Sequence, residues 1–298
     1  MKALCELFGH GRQAWYEAQK RSDQRQTQQQ SLLAEVKRIR EKHPKVGAQK
    51  LYFQLRGWCE QNGVKIGRDK FLNLLRTNGL MIYRRARKAV TTNSKHDFYR
   101  YPNLVKGIKV TGPNQLWVSD ITYLRLPRGF TYLSLITDAY SRKIVGWAVH
   151  DTLQTEGPLS ALRKALKGLN IKPESLIHHS DRGIQYCSRE YTKMLKTNKI
   201  RISMTEQADP YENALAERMN RTLKEEFALD RTFLSVAQAR QLVKEAIGYY
   251  NHVRPHASCG YRTPEQAHHC QGPFVKMWRP AKRKSLEKVQ DQLSYAYA

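Results

Sequence analysis

The sequence predicts an all-α N-terminal region followed, from about residue 105, by an α/β core with a mixed five-stranded sheet. Two observations support this division. Apolar residues recur at helical spacing through the N-terminal third of the chain. From about residue 112 the pattern changes to alternating, β-rich segments, and strands then alternate with helices.

Residues 1–30 are predicted to form a small helix-turn-helix-like unit and a linker. Two short helices flank a turn at residues 9–11, and the second helix covers about residues 12–20. Residues 22–30 are polar and rich in glutamine, without apolar periodicity, which is typical of a linker or a frayed helix start.

Residues 31–100 are predicted to form a helical DNA-binding domain with a basic arm. Its first helix is expected to be capped by Ser31 and to end before Pro44. A helix over residues 48–61 and a helix over residues 68–77 follow, joined by a glycine turn.

Basic side chains make this region a candidate DNA-binding surface. Arg68 and Lys70 open the helix over residues 68–77, a position suited to the major groove, although a helical hairpin with solvated cations fits equally well. Up to residue 100 there are 22 Lys and Arg against 8 Asp and Glu. The arm is expected to contact phosphates, unless it is a solvated linker; its cations are Arg84, Arg85, Arg87 and Lys88.

The charge of the whole chain indicates a polyanionic partner. Lys and Arg number 52 against 26 Asp and Glu, for a net charge of +26 and a pI near 10.0. Such a surface repels itself unless it meets a polyanion, most often nucleic acid. A ribosome-associated or merely soluble basic protein is the alternative.

Cysteine usage and hydropathy predict a cytoplasmic protein. The five cysteines are scattered and odd in number, which argues against a disulfide framework. His268, His269 and Cys270 fit no common zinc spacing. No stretch of about eighteen apolar residues occurs, and the N-terminus lacks the pattern of a secretory leader, so no membrane association is expected.

Residues 105–270 are predicted to form the catalytic core, with a basic tail over residues 271–298. Three antiparallel strands followed by helix, strand, helix, strand and helix is the ribonuclease-H-like arrangement. The predicted strands are residues 115–126, 130–137, 143–149, 175–179 and 200–204, and the predicted helices are one around residues 159–169, then 189–197, 213–229 and 235–252.

Three acidic residues on these elements are candidate catalytic and metal-binding groups. Asp120 lies inside an apolar, β-branched strand, where a carboxylate is costly unless it is paired or holds a cation. Asp181 directly follows a strand, where α/β sheets collect ligand-binding residues. Glu217 lies on the helix over residues 213–229. The positions of the three residues, rather than their spacing, are the evidence, since acidic residues are frequent.

Carboxylates in this arrangement suit hard divalent cations. Mg²⁺ prefers oxygen ligands and keeps positions open for water and phosphate oxygens. Two such ions can activate an attacking hydroxyl and stabilise the leaving oxygen in a phosphoryl transfer. We therefore expect two Mg²⁺ ions, with Mn²⁺ able to substitute.

The helix that carries Glu217 also predicts DNA contacts. Asn213, Glu217, Asn220, Arg221 and Lys224 share one face, opposite an apolar stripe that should pack on the sheet. Of these, Asn213, Arg221 and Lys224 are candidate DNA-binding residues. For Asn213 and Lys224 the alternative is an ordinary solvated helix surface.

These motifs resemble the second-reading-frame (OrfB) transposases of bacterial insertion-sequence family three, whose core is similar to retroviral integrases. The resemblance extends from about Leu4 to Ala267. It is carried by residues 117–123, 179–186, 213–225, 250–256 and 260–265. Two departures are that Glu212-Asn213 stands where the family often has Asp-Asn, and that the basic tail lies outside the match.

The resemblance implies a DDE transposase that cuts at the terminal inverted repeats of its element and transfers the 3′-hydroxyl to target DNA. It implies that Lys224 contacts DNA near the cleavage site, and it assigns no role to the matching Arg254 and His256. It also implies double-stranded DNA as partner and a homo-oligomer on that DNA. In the family an upstream frame commonly supplies a further helix-turn-helix and a leucine zipper by fusion, and no sustained heptad repeat occurs here.

Two other functions fit parts of the pattern. A repressor or domesticated transposase would keep the fold and DNA binding without cutting. A ribonuclease-H-like nuclease or junction resolvase would cut without joining, but the integrase-type motifs and the basic N-terminal region disfavour it.

Overall fold

The computed structural model describes residues 11–82, 98–169, 175–206 and 213–274. The first range is helical, with α1 over Arg12–Lys42, α2 over Ala48–Gln54, α3 over Arg56–Gln61 and α4 over Arg68–Thr77. The second half of α1 packs with α2 to α4 around a small core of its own. We call this part, residues 31–82, the helical domain. Its buried residues are Leu32, Val36, Val46, Leu51, Leu55, Phe71 and Leu75.

Helix α1 differs from the prediction for the N-terminal segment. Residues 12–42 form one helix, so Ser31 is inside it and does not cap it, and the glutamine-rich residues 22–30 are helical rather than a linker. Residues 13–31 are exposed along their whole length, and their helix therefore forms without an apolar face to bury. Gln, Arg and Ala are good helix formers, which explains a helix that apolar periodicity does not indicate. The predicted end before Pro44 is confirmed, whereas the helix predicted before residue 9 lies outside the described residues.

The predicted helix over residues 48–61 is divided. Leu55 ends α2 and begins α3, with φ −84° and ψ −7°. Its side chain is buried in the helical domain and Gly57 follows closely, so a core contact and a poor helix former meet at the break. Gly63 makes the next turn at φ +63°, and α4 has the predicted bounds.

The catalytic core contains the predicted mixed sheet. Strands β1 (Leu116–Arg125), β2 (Phe130–Asp138) and β3 (Ile144–His150) are antiparallel neighbours. Strands β4 (Ile177–Ser180) and β5 (Arg201–Met204) run parallel to β1 and extend the sheet on its other side. The resulting order, β3-β2-β1-β4-β5, is the ribonuclease-H-like order that the sequence predicts.

Helices cover both faces of the sheet. On one face α5 (Glu156–Lys167) and α7 (Arg189–Thr197) pack through the apolar stripe predicted around residues 159–166 and through Tyr191 and Leu195. The short helix α6 (Ile184–Cys187) leads into α7. On the other face lie α8 (Ala214–Glu226) and α9 (Val236–His252).

The chain ends its described course against the core. Helix α10 (Pro264–His268) begins with a capping box between Thr263 and Gln266. Asp138, fully buried at the end of β2, accepts hydrogen bonds from Ser141, whose hydroxyl lies 2.9 Å from Nδ1 of His268. Phe274 stacks on Tyr140, so the first residues of the predicted tail still pack on the core, and residues 275–298 lie outside the described part. None of the helices in the described ranges combines the length and apolar character that crossing a membrane requires.

Candidate active site

Asp120 lies in the middle of β1, on the sheet face that α8 covers. Its Oδ2 accepts a 2.7 Å hydrogen bond from Nδ2 of Asn220, and its Oδ1 accepts one of 2.9 Å from the Ile121 amide. Burial and the negative charge of Asp181 raise the pKa of Asp120 to about 7, with Glu217 adding to the effect. The position is therefore unfavourable for a carboxylate without a cation.

Asp181 is brought to Asp120 by the parallel pairing of β1 and β4. Val118 pairs with His179, and continuing this register by two residues aligns Asp120 with Asp181 on the same face. Asp181 directly follows β4, and its Oδ1 accepts a 3.0 Å hydrogen bond from the Gly183 amide, which makes a tight turn there. The two aspartates thus meet where β4 ends beside the middle of β1.

Glu217 completes the acidic site from the first turn of α8. Its side chain is exposed, while Met219 and Leu223 of the same helix are buried against the sheet, as predicted. Partial desolvation raises the pKa of Glu217, Arg221 opposes this, and Asp181 adds to it. The three predicted carboxylates are therefore close enough for their charges to act on one another.

The donor set suits a divalent cation, although the side chains are not closed around one point. Across the described residues, no three His, Cys, Asp or Glu side chains are grouped closely enough to ligate one ion together. The site nevertheless offers oxygen donors of like charge, and the repulsion from Asp181 and Glu217 adds to burial in raising the pKa of Asp120. The buried Oδ1 atoms of Asn213 and Asn220 also lack a hydrogen-bond partner among the described residues. An oxygen-rich, negatively charged site of this kind fits Mg²⁺.

Two buried amides hold α8 to β1. Asn220 is 5% exposed and bonds to Asp120. Asn213, at 6% exposed, donates a 3.1 Å hydrogen bond from Nδ2 to the carbonyl of Ser119. The prediction that the Asn213 side chain contacts DNA is corrected by this placement, because its amide is buried and bonded to the strand.

Lys224 and Arg221 extend the site along α8. Lys224 is half-buried; desolvation lowers the pKa of its ammonium group, and Asp120 attracts its charge. Arg221 is exposed, and its charge acts on Glu217. Both cations stand beside the carboxylates on the face that the sequence predicts.

A neutral polar layer lies on the other side of β1 and β4. Nε2 of His178 lies 2.7 Å from Oγ of Ser119 and 2.9 Å from the hydroxyl of Tyr191, and burial lowers the pKa of His178 to about 3. The buried hydroxyl of Tyr186 has no hydrogen-bond partner among the described residues, and burial raises its pKa well above 10, with Asp120 and Asp181 contributing. Both groups stay uncharged at neutral pH and therefore do not neutralise the carboxylates.

The other predicted DNA-binding residues are far from these carboxylates in sequence. Arg68 and Lys70 are exposed at the start of α4, beside an open hollow that Lys65 also lines. Nε of Arg68 lies 3.0 Å from Oδ1 of Asp69. The arm residues Arg84, Arg85, Arg87 and Lys88 lie outside the described residues.

Sequence reasoning placed Asn220 on the polar face of α8 without giving it a role, and it did not single out Tyr186. The spacing of three residues between Glu217 and Asn220, one helical turn, is a signal that could have associated Asn220 with the acidic site. Tyr186 carries no such signal, because only the folded chain brings it close enough for the charges of Asp120 and Asp181 to act on it.

Comparison with known proteins gives consistent results. Two models described as integrase core domain match residues 110–210 and 198–264. Transposase InsF for insertion sequence IS3A of Escherichia coli (strain K12) is 31% identical over 275 residues, covering 89% of this chain and 93% of the relative. The insertion element IS600 uncharacterized 31 kDa protein of Shigella sonnei is 32% identical over 268 residues, covering 88% and 96%.

Among solved structures, the HTLV-2 integrase catalytic core domain in complex with magnesium, in its trimeric form, is 20% identical with a TM-score of 0.42. It covers 53% of this chain and 98% of that one. The long match to InsF, the integrase core models and the strand order lead to one conclusion about family. The chain belongs to the IS3 family of insertion-sequence transposases, enzymes with an integrase-type, ribonuclease-H-like catalytic core.

Proposed function

We propose that this transposase cuts DNA at the terminal inverted repeats of its insertion sequence and joins the freed 3′-hydroxyl to target DNA. Asp120, Asp181 and Glu217 are the residues proposed to hold two Mg²⁺ ions, for which Mn²⁺ would substitute. The observation that carries the proposal is that the fold places Asp181 beside Asp120 and brings Glu217 within range of their charges, in a site where burial, together with these like charges, raises the pKa of Asp120 to about 7. A structural role would not require three like charges to converge.

The bound ions would activate the attacking hydroxyl and stabilise the leaving oxygen. The protein's own contribution is positioning. Asn220 fixes the rotamer of Asp120 through its 2.7 Å hydrogen bond, and Asn213 fixes the backbone of β1 one residue earlier. Lys224 and Arg221 present cations beside the carboxylates, where a DNA phosphate would otherwise meet only negative charge.

We also propose that the N-terminal region and the catalytic core have separate functions, recognition of the DNA end and its cleavage. The N-terminal region up to residue 100 would recognise the terminal repeats through the start of α4, where Arg68 and Lys70 are exposed, and through the basic arm. The core would act on the end so delivered, as a homo-oligomer on double-stranded DNA in the bacterial cytoplasm. A fusion with an upstream frame remains a prediction of the family resemblance.

Replacing one carboxylate tests the catalytic assignment. Asp181→Asn keeps the side-chain shape but removes a charged oxygen ligand, so nicking and strand transfer on a duplex carrying the element's ends should be abolished in Mg²⁺ and in Mn²⁺. Binding of the same duplex in a gel-shift assay should persist. Asp151→Asn, at an exposed position outside the site, is the matched control and should cut like the parent. Equal cutting by Asp181→Asn and the parent contradicts the assignment.

A fragment that begins at about residue 105 tests the division of labour. It should lose the preference of the full chain for binding the terminal repeats over unrelated duplexes. Selective binding of the repeats by this fragment, equal to that of the full chain, would place end recognition in the core instead.

The same assays address the rival non-enzymatic function. A DNA-binding protein that has lost cutting would bind the repeats in the parent form without nicking them under any divalent cation. A nuclease or resolvase would nick without producing joined product.

A further inference from the structure

A buried group of charged and polar residues holds the C-terminal end of α8, the helix that carries Glu217. Glu226, the last residue of α8, is 7% exposed. Arg254 donates to both of its carboxylate oxygens, from Nε at 2.8 Å and from Nη2 at 2.9 Å. Nε2 of His43 lies 3.1 Å from Oε2, and Lys50 contacts Oε1. We call these four residues the Glu226 cluster.

The members of the Glu226 cluster come from separate parts of the chain. His43 and Lys50 belong to the helical domain, at the end of α1 and in α2. Arg254 follows α9 and lies in the family motif over residues 250–256, for which the resemblance assigns it no role. The cluster therefore joins the helical domain, the catalytic helix and the C-terminal part of the core at one carboxylate.

Electrostatics keeps this carboxylate charged. Burial alone would raise the pKa of Glu226, but hydrogen bonds from His43 and Arg254 and the charges of Arg254 and Lys50 hold it well below its usual range. Burial lowers the pKa of His43, so its ring is a neutral donor rather than an ion-pair partner. Removing the charge of Glu226 would leave the buried guanidinium of Arg254 without its ion-pair partner, which is far more costly than losing an exposed pair.

Neighbouring contacts reinforce the same junction. The ring of His43 stacks on Phe227 with centroids 4.3 Å apart. The amide of Lys45 donates a 3.0 Å hydrogen bond to the carbonyl of Glu226. Phe53 of α2 stacks on Tyr261 at 3.7 Å between centroids, next to the motif that contains Arg254. The helical domain is thus attached through several directional contacts.

One rigid element connects this junction to the acidic site. Glu217 and Glu226 are nine residues apart on α8, which corresponds to about 13 Å along a helix. At its middle the helix bonds to Asp120 through Asn220, and at its last residue it is fixed to the helical domain. A displacement of the helical domain would be transmitted directly to the catalytic carboxylates or would break the cluster.

We propose that the Glu226 cluster sets the position of the helical domain relative to the catalytic carboxylates, which makes Glu226 and Arg254 positioning residues that define where the DNA end is cut. This inference rests on the proposed recognition of the DNA end by the N-terminal region. Its consequence is specific: weakening the cluster should disturb the location of the cut more than the binding of the end.

The test compares Glu226→Gln with the parent in the full chain, on a duplex carrying the element's end. Cutting at the parental position should fall by roughly tenfold or more, since small misplacements of reacting groups are costly. Nicks mapped at nucleotide resolution should spread to neighbouring phosphates, whereas end affinity in a gel shift should stay within about threefold, because the variant removes no proposed DNA contact. Arg254→Lys keeps the charge but loses the bidentate contact with Glu226. Its nick positions should be spread more widely than those of the parent and less widely than those of Glu226→Gln.

Glu265→Gln is the matched control. Glu265 pairs with Lys143 at 2.8 Å in a half-buried ion pair that lies within the core and does not involve the helical domain. It should leave the cut position unchanged. A slower but correctly located cut in Glu226→Gln, or an equal spread in Glu265→Gln, would overturn the proposal.

Two further measurements keep the proposal testable if Glu226→Gln does not fold or if the parent does not cut DNA ends. If Glu226→Gln does not fold, Lys50→Met removes a less buried member of the cluster and should spread the nicks in the same way; an unchanged cut position would then overturn the proposal. Small-angle scattering without DNA should show a larger radius of gyration for the cluster variant than for the parent and Glu265→Gln. Identical scattering would refute the coupling even if the parent cuts no ends, an outcome that would separately count against the proposed function.

Discussion

Nδ2 of Asn220 lies 2.7 Å from Oδ2 of Asp120. Helix α8 therefore contacts strand β1 through a hydrogen bond to the Asp120 carboxylate. Asn220 follows Glu217 by one helical turn, and the same helix therefore supplies a proposed metal ligand and a group that orients another. The hydrogen bond also favours the charged form of Asp120 against the burial that raises its pKa.

Replacing Asn220 by alanine should lower activity without abolishing it. The variant frees Asp120 to rotate and removes a donor that favours its charged form, and loss of such an orienting partner typically reduces metal affinity or activity by about 10- to 100-fold. The measurement is nicking rate against Mg²⁺ concentration, with the half-saturating concentration expected to rise.

Asn198→Ala is the control for that measurement. Asn198 also donates from Nδ2, but to the Met194 carbonyl at the end of α7, away from the carboxylates. A normal Mg²⁺ dependence in Asn220→Ala would show that its amide does not position Asp120.

The stability of the ion-free protein should depend on pH through Asp120. Its folded-state pKa of about 7 exceeds the value near 3.9 expected after unfolding, so between these values the folded state retains a proton that the unfolded state has lost. The contribution of Asp120 to stability is therefore fully present below about pH 4 and is lost as pH rises towards 7. Each pH unit in this window contributes up to about 1.4 kcal/mol per proton.

Denaturant unfolding in chelator at pH 5 to 8 checks this dependence. The parent should lose roughly 2 kcal/mol more than Asp120→Asn over this range, because the amide does not titrate. Mg²⁺ added at pH 8 should stabilise the parent and have little effect on the variant. Parallel pH curves for the two proteins would contradict the raised pKa.

The acidic triad could be predicted from the sequence because each member lies on a locally recognisable element. Asp120 interrupts a β-branched strand, Asp181 ends one, and Glu217 lies on the polar face of an amphipathic helix. Parallel pairing of β1 with β4 then follows from the order of elements. Alternation and helical periodicity therefore give the core fold and the elements on which the three proposed ligands lie.

The features that escaped prediction have no local pattern. Glu226 contacts Arg254, 28 residues away in the sequence, and His43, 183 residues away. Neither separation falls within one helix or strand, so nothing in the sequence indicates that these residues meet. The first half of α1 escaped for the opposite reason, because its helix buries nothing and so shows no apolar periodicity. Sequence patterns report burial on one element, whereas contacts between distant elements require the folded chain.

Two glycines should respond oppositely to alanine. At Gly146 of β3 an added Cβ would lie 2.2 Å from the carbonyl oxygen of Ala161 and 2.9 Å from Cβ of Ala165, so α5 would have to move off the sheet. At Gly248, exposed in α9, a Cβ would meet no atom within 4 Å.

Thermal or denaturant unfolding distinguishes the two variants. Gly146→Ala should destabilise the core by about 1 to 3 kcal/mol through overpacking. Gly248→Ala should stabilise it by about 0.5 to 1 kcal/mol, because alanine is the better helix former and reduces the entropy of the unfolded chain. A neutral Gly146→Ala would mean that α5 does not approach β3 as closely as the structure has it.

Lys224 should contribute a phosphate contact rather than sequence selectivity. Its half-buried ammonium is attracted by the charge of Asp120, at the edge of the acidic site where the proposed function requires DNA to approach. Lys224→Gln should weaken binding to terminal-repeat and unrelated duplexes by similar factors, and should reduce the slope of log affinity against log salt by about 1. Lys193→Gln, exposed on α7 across the sheet, should leave that slope unchanged. A slower nicking rate with an unaltered salt slope would instead indicate that Lys224 acts through the charge of Asp120, and would remove it from the DNA contacts.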